Sequence, residues 1–244
     1  MALEGDLLAA FEYHSPEKIR EALAAGASPV VLIKGKTPMM SLIEMYTRSA
    51  AFVSCMRVML EAGASVGDPY LEAILLDDDT ALRRLPGAAD RRFHLECTYT
   101  SLHGVSGLHV CAEYNSVRCL RALLDLGLDV NTRADVDAEG LGGHTAFFHT
   151  VNSNRNYCRP AMEILVEAGA DLSIRLDGVV WAAGFDWETV VYDVTPISYA
   201  QCGLYKQFHR AEEAVYRNIE YLYRARHGVS PRIRNVPNKY LADD

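Results

Sequence analysis

Apolar positions recur along this chain in short helical runs. Val117, Leu120, Leu123 and Leu124 fall on one face at the 3.6-residue period, and similar amphipathic runs lead into residues 22–28, 60–65 and 165–173. Each run stops at a glycine: Ala25-Gly26-Ala27, Ala62-Gly63-Ala64, Leu126-Gly127-Leu128 and Ala168-Gly169-Ala170. Glycine takes the left-handed position just past a helix without the strain a Cβ would cause, so these four sites read as helix ends. Gly35-Lys36-Thr37-Pro38, Gly143-His144-Thr145-Ala146 and Asp193-Val194-Thr195-Pro196 read as starts. There Thr caps the helix, and Pro, where present, takes the first helical position. The pattern predicts pairs of short helices repeated along the chain. Residues 68–87 (DPYLEAILLDDDTALRRLPG) read as a degenerate pair without either motif. Residues 178–194 (GVVWAAGFDWETVVYDV) read as two β-rich strands around Ala182–Asp186.

At these residues the chain resembles the ankyrin repeat, a β-turn and two antiparallel helices that begin G-x-T-P-L-H and end G-A-D-V-N. The best copy starts at Gly107-Leu108-His109 and ends at Gly127-Leu128-Asp129-Val130-Asn131, with Ser106-Gly107 where the motif has Thr-Pro. The resemblance implies an all-α fold: an ankyrin-repeat solenoid of about six helix-turn-helix units, some degenerate, with β-hairpin fingers, one extended near 178–194. The implied units span residues 1–33, 34–66, 67–100, 101–140, 141–176 and 177–226. An extended tail, 227–244, carries Arg232, Arg234 and Lys239. The last unit lacks the glycine ending and reads as a capping repeat. Tetratricopeptide and HEAT arrays are the alternative folds, but neither explains the Gly-Ala-Asp endings.

Composition narrows the function. With half of its 244 residues apolar, the chain can bury a core, and its net charge of −8 argues against a nucleic-acid backbone as ligand. No apolar stretch reaches the ~20 residues of a spanning helix, and the N-terminus does not read as a signal peptide. The six cysteines are scattered, four of them in apolar helical patterns, which suggests a reducing compartment and a cytoplasmic location.

Chemistry is sparse. No G-x-S-x-G elbow, Walker A loop, HExxH helix or dinucleotide glycine pattern is present, so an enzyme is not expected. His94, Cys97, His103 and Cys111 are ligand types without CxxC or H-x3-H spacing, so neither a metal nor a cofactor is expected. For His109 the resemblance implies a hydrogen bond to the neighbouring turn. Function is expected in two enlarged fingers. Residues 132–144 carry Asp135, Asp137 and Glu139, which with Gly140 match the start of a calcium loop. That loop fails at its twelfth position, Ala146, so the acidic finger is expected to meet a basic group. Residues 174–194 carry Trp181, Phe185, Trp187 and Tyr192, residue types that anchor interfaces; one strand face is expected to fold down on the adjacent helices, the other being open to a partner. Glu113, Tyr114, Asn152 and Asn154 are placed near the concave surface by their position in their units. Asn131, with Leu123, Asp129 and Val130, resembles the substrate motif of an asparaginyl hydroxylase and is a possible modification site. The expected function is a non-catalytic protein-protein interaction scaffold, a monomer that grips an unidentified protein partner and neither nucleic acid nor membrane. The alternatives are an enzyme or metal-binding protein on a repeat scaffold, or a dedicated regulatory cap of one enzyme.

Overall fold

A computed structural model describes residues 2–97, 99–100 and 102–232, so Arg234 and Lys239 of the tail lie outside the described residues. Within them the helices come in consecutive pairs: α1 (Ala2–Glu12) with α2 (Pro16–Ala24), α3 (Pro38–Ile43) with α4 (Phe52–Glu61), and α5 (Pro69–Leu75) with α6 (Asp79–Arg84). There follow α7 (Gly107–Tyr114) with α8 (Val117–Asp125), α9 (Phe148–Val151) with α10 (Arg159–Glu167), and α11 (Pro196–Cys202) with α12 (Glu212–His227). Two antiparallel hairpins interrupt them, β1 (Arg92–Leu95) with β2 (Leu102–Ser106) and β3 (Leu176–Trp181) with β4 (Thr189–Val194).

Local chemistry explains these boundaries. Thr37 Oγ1 accepts the Met40 N–H at 3.2 Å ahead of Pro38. Thr195 and Ser198 cap one another reciprocally ahead of Pro196, a capping box. The segment 68–87 also has a start signal, in a different residue: Asp68 Oδ1 accepts the N–H groups of Tyr70 at 2.8 Å and Leu71 at 3.1 Å, with Pro69 first in the helix. At the helix ends the glycines form four Schellman motifs, the residue after each glycine bonding back to the helix: Ala27 to Ala22, Ala64 to Met59, Leu128 to Leu123 and Ala170 to Leu165, at 2.9–3.1 Å. Gly127 has φ +89 and nothing within 4 Å of an added Cβ. Gly127→Ala therefore isolates the backbone term and is expected to cost about 1 kcal/mol in urea unfolding.

Apolar faces from α1 to α12 merge into one core, with fully buried Phe11, Met39, Met56, Leu120, Leu165 and Leu222. The exchange of Thr-Pro for Ser106-Gly107 has a steric cause. A Cβ at residue 107 would lie 2.8 Å from Leu123 Cδ1 and 3.3 Å from Ile74 Cδ1. The helices of the third pair are short, and side chains reach past it: Tyr114 Oη, at the end of α7, donates to the Ile43 carbonyl at the end of α3, at 2.6 Å. Neither hairpin respects the unit limits drawn from sequence. The 100/101 boundary separates β1 from β2, and the 176/177 boundary cuts β3. No helix among the described residues is long and apolar enough to cross a membrane.

Candidate functional site

A buried polar chain runs across the middle of the molecule. Arg48, in the loop after α3, donates from Nε to Glu113 Oε1 at 2.9 Å, and its guanidinium lies over the Tyr114 ring at 4.3 Å. The second Glu113 oxygen meets His149 Nδ1 at 3.1 Å, and His149 Nε2 meets His144 Nε2 at 3.1 Å. The partners assign the protons. The Glu113 carboxylate can only accept, so His149 donates to it from Nδ1. His109 bridges two helix pairs: Nε2 donates to the His144 carbonyl at 3.0 Å, while Nδ1 accepts from the Ser106 N–H at 3.2 Å and the Ser106 hydroxyl at 2.8 Å. The turn hydrogen bond that the resemblance implied for His109 is therefore present.

The electrostatics follow from burial. Desolvation pushes the His109 pKa down to about 3, helped by the neighbouring His149, and holds His144 well below the usual imidazole range for the same reason. Burial raises the Glu113 pKa, but the Arg48 charge and the His149 hydrogen bond outweigh it, and the carboxyl titrates below its ordinary value. Both imidazoles are neutral and the carboxylate is charged at neutral pH.

This chain forms one wall of a cleft of about 590 Å³, lined by the loop after α3, the ends of α7 and α9, α11, the residues before α12 and the turn of β3–β4. Trp181, Trp187, Tyr99 and Tyr199 supply its apolar lining. Arg210 supplies a cation. Its Nη1 donates to the Phe208 carbonyl at 2.7 Å and its Nε to the Asn152 carbonyl, and it has no ion-pair partner among the described residues. Burial pushes its pKa down, the sign of a charge held at a desolvation cost.

Several residues expected at a contact surface are buried, and of these Trp181, Glu113 and Asn152 stand in the wall of this cleft. Trp181 is 7% exposed, stacked on Phe208 at 4.7 Å and Tyr99 at 5.3 Å, because β3 turns that face down onto α11 and the residues before α12. Glu113 and Tyr114 are buried in the polar chain. Asn152 is buried with its Nδ2 on the Tyr199 carbonyl and its Oδ1 without a partner. The opposite side of the hairpin faces out: Phe185 and Trp187 stack at 4.9 Å with 38% and 49% exposure, and Tyr192 is 69% exposed. Asn154, Asp135, Asp137 and Glu139 are exposed. Asp137 Oδ1, however, accepts the N–H groups of Glu139 and Leu141, both at 2.9 Å, and so serves its own turn. Asn131 Oδ1 accepts the Asp171 N–H at 2.8 Å, tying two adjacent turns. Sequence reasoning missed Arg48, His149, Tyr199 and Arg210, which come from three helix pairs and share no local motif. It also missed the β1–β2 hairpin, whose alternation of buried Phe93 and Leu95 with exposed His94 was a readable signal.

No protein-family model matches the sequence. Over 70 residues, 29% of this chain, the sequence is 36% identical to the human B-cell lymphoma 3 protein, and the match spans 14% of that protein's length. The fold is similar to the crystal structure of EF0377, an ankyrin repeat protein, with a TM-score of 0.40 and 19% identity, over 89% of this chain and 96% of that one. Paired helices closed by Schellman glycines, hairpin turns between them and a histidine bonded to the next turn are features of this chain's own coordinates, and in them it resembles the ankyrin-repeat proteins.

Proposed function

We propose that the six helix pairs act as stacked repeats of a non-catalytic protein-interaction module. Its cleft takes an extended segment of a partner protein in which a carboxylate neighbours a large apolar side chain. The observation that carries this reading is Arg210, a desolvated cation without an ion-pair partner among the described residues, beside an aromatic wall. Removing a charge from water is costly unless an opposite charge or several hydrogen bonds compensate, so a carboxylate delivered by a partner gains more here than at an open surface. Trp187 provides apolar area at the mouth with few rotors to freeze on binding.

The test uses tryptophan fluorescence of the full chain, titrated with a panel of extended peptides in which aromatic residues flank Glu, against the same panel with Gln. The acidic peptides are expected to bind, and Trp187→Ala to weaken them by at least about tenfold, a hot-spot effect, with unchanged circular dichroism. Equal binding of the Gln peptides, or binding that survives Trp187→Ala, overturns the reading.

A further inference from the structure

The β1–β2 hairpin holds a cluster that neither the fold nor the proposed cleft requires. His94 and His103 are register partners across the two strands, and their rings stack at 3.9 Å with an interplanar angle of 11°. Glu96, just past β1, reaches both: its Oε1 lies 2.9 Å from His94 Nε2 and 3.7 Å from His103 Nε2. One donor atom from each of the three residues falls within 4.8 Å of the others, and all three residues are exposed. A bulge between Phe93 and His94 sets this register. It places the two imidazoles on the solvent side while Phe93 and Leu95 anchor the strand in the core. The hairpin is therefore a fixed platform whose outer face carries two nitrogen donors and one oxygen donor.

We propose that His94, Glu96 and His103 form a binding site for a transition-metal cation of the Zn²⁺ class. The donor set decides the metal. Two neutral imidazoles and one carboxylate suit a borderline cation that accepts tetrahedral geometry, whereas Mg²⁺ and Ca²⁺ select all-oxygen sites. Three protein ligands leave the fourth position open, and exposure of the cluster directs that position to solvent or to a partner's side chain. The carboxylate of Glu96 supplies the cluster's one negative ligand, and Asp135 of the neighbouring finger stands beside the strand, its N–H donating to the Gly104 carbonyl at 3.2 Å, while Arg92 donates to the same carbonyl at 2.9 Å. Metal binding replaces the Glu96–His94 hydrogen bond with two coordination bonds from the same side chains, and the two exposed rings must rotate out of their parallel stack to do so, because each Nε2 lone pair lies in its own ring plane.

The experiment is calorimetric titration of tag-free, chelator-treated full chain with ZnCl₂ and, separately, MgCl₂, in the parent and in His103→Ala, His94→Ala and Glu96→Gln. Zn²⁺ is expected to bind at one site per chain and Mg²⁺ to give no saturable heat. Each histidine variant is expected to lower Zn²⁺ affinity by at least about tenfold, since two remaining donors no longer define a site. Co²⁺ then separates this site from the six cysteines. Visible ligand-field bands without a thiolate charge-transfer band support it, and a thiolate band that persists in His103→Ala overturns it. No Zn²⁺ binding, or unchanged binding in His103→Ala, also overturns it. His94 and His103 are exposed, so variants that bind no metal yet unfold at the parent's urea midpoint show that the loss is local.

Discussion

Glu113→Ala is expected to destabilise the protein by about 3–5 kcal/mol, the cost of breaking a buried ion pair from one side. The substitution strands two groups at once. Arg48 keeps its charge inside the protein without a carboxylate, and the His149 Nδ1–H loses its acceptor. Arg48 retains the Met45 and Thr47 carbonyls and the Tyr114 face, so the structure is expected to survive at reduced stability rather than fail to form. For a chain of this length the midpoint of thermal unfolding falls by roughly 2–4 °C per kcal/mol, so a drop near 10 °C is expected. Arg48→Met with Glu113→Leu removes both charges and is expected to recover part of the loss, which a double-mutant cycle in urea measures. A cost below ~1 kcal/mol for Glu113→Ala would mean that water reaches the pair and that it behaves as a surface salt bridge.

Acid is expected to unfold this protein at a pH where carboxylates alone would leave it folded. Three buried imidazoles are held neutral: burial takes His14 down to about 4 and His109 to about 3, and His144 lies well below its ordinary value. The unfolded chain takes up protons at each near pH 6.5, while the folded chain does so only far lower. Stability is therefore fully present above pH 6.5 and falls as the pH drops towards the folded values. At about 1.4 kcal/mol per pH unit for each group, His14 and His109 alone remove on the order of 4 kcal/mol by pH 5, and His144 adds to the loss in the same direction. That is comparable to the whole stability of an ordinary domain. Glu113, whose pKa is lowered in the fold, adds to the loss below its unfolded value near 4.5, in the same direction. Urea midpoints measured from pH 7.5 to pH 5 check this, and a flat profile would contradict it. His109→Asn, which does not titrate, is expected to flatten the profile by one group's share while lowering stability at neutral pH, because it loses the bridge to the His144 carbonyl.

The two effects have one origin. Arg48, Glu113, His149 and His144 come from three helix pairs, and Tyr114, beside Glu113, ties α7 to the end of α3 through its hydrogen bond to the Ile43 carbonyl. The same geometry that seats this chain in the interior leaves Arg210 facing the cleft. His14 shares no hydrogen bond with this network: its Nδ1 lies on the Ser49 hydroxyl at 2.9 Å, and its Nε2 is buried without a partner among the described residues, with the Arg48 charge adding to the effect of burial.

Sequence alone determined the local punctuation of this protein. Thr-Pro starts, Gly ends and 3.6-residue apolar spacing act over a few residues, so each can be read without knowing what packs beyond it. The helix pairs and the β3–β4 hairpin follow from them. Tertiary structure decided which side chains face inward. The aromatic finger illustrates this, since Trp181 and Trp187 share one segment, but only the docking of β3 on Phe208 and Tyr99 buries the first and leaves the second at the cleft mouth. Glu113 and Tyr114 sit where the repeat pattern places a concave surface, yet Arg48 pairs with the first and the Ile43 carbonyl takes the hydroxyl of the second. His94 and His103 carry no ligand spacing in sequence, because the distance that matters to a cation is the few ångströms across a strand pair, and a bulge sets it. Contacts of this kind depend on register and packing between elements, which residue spacing along one chain does not encode.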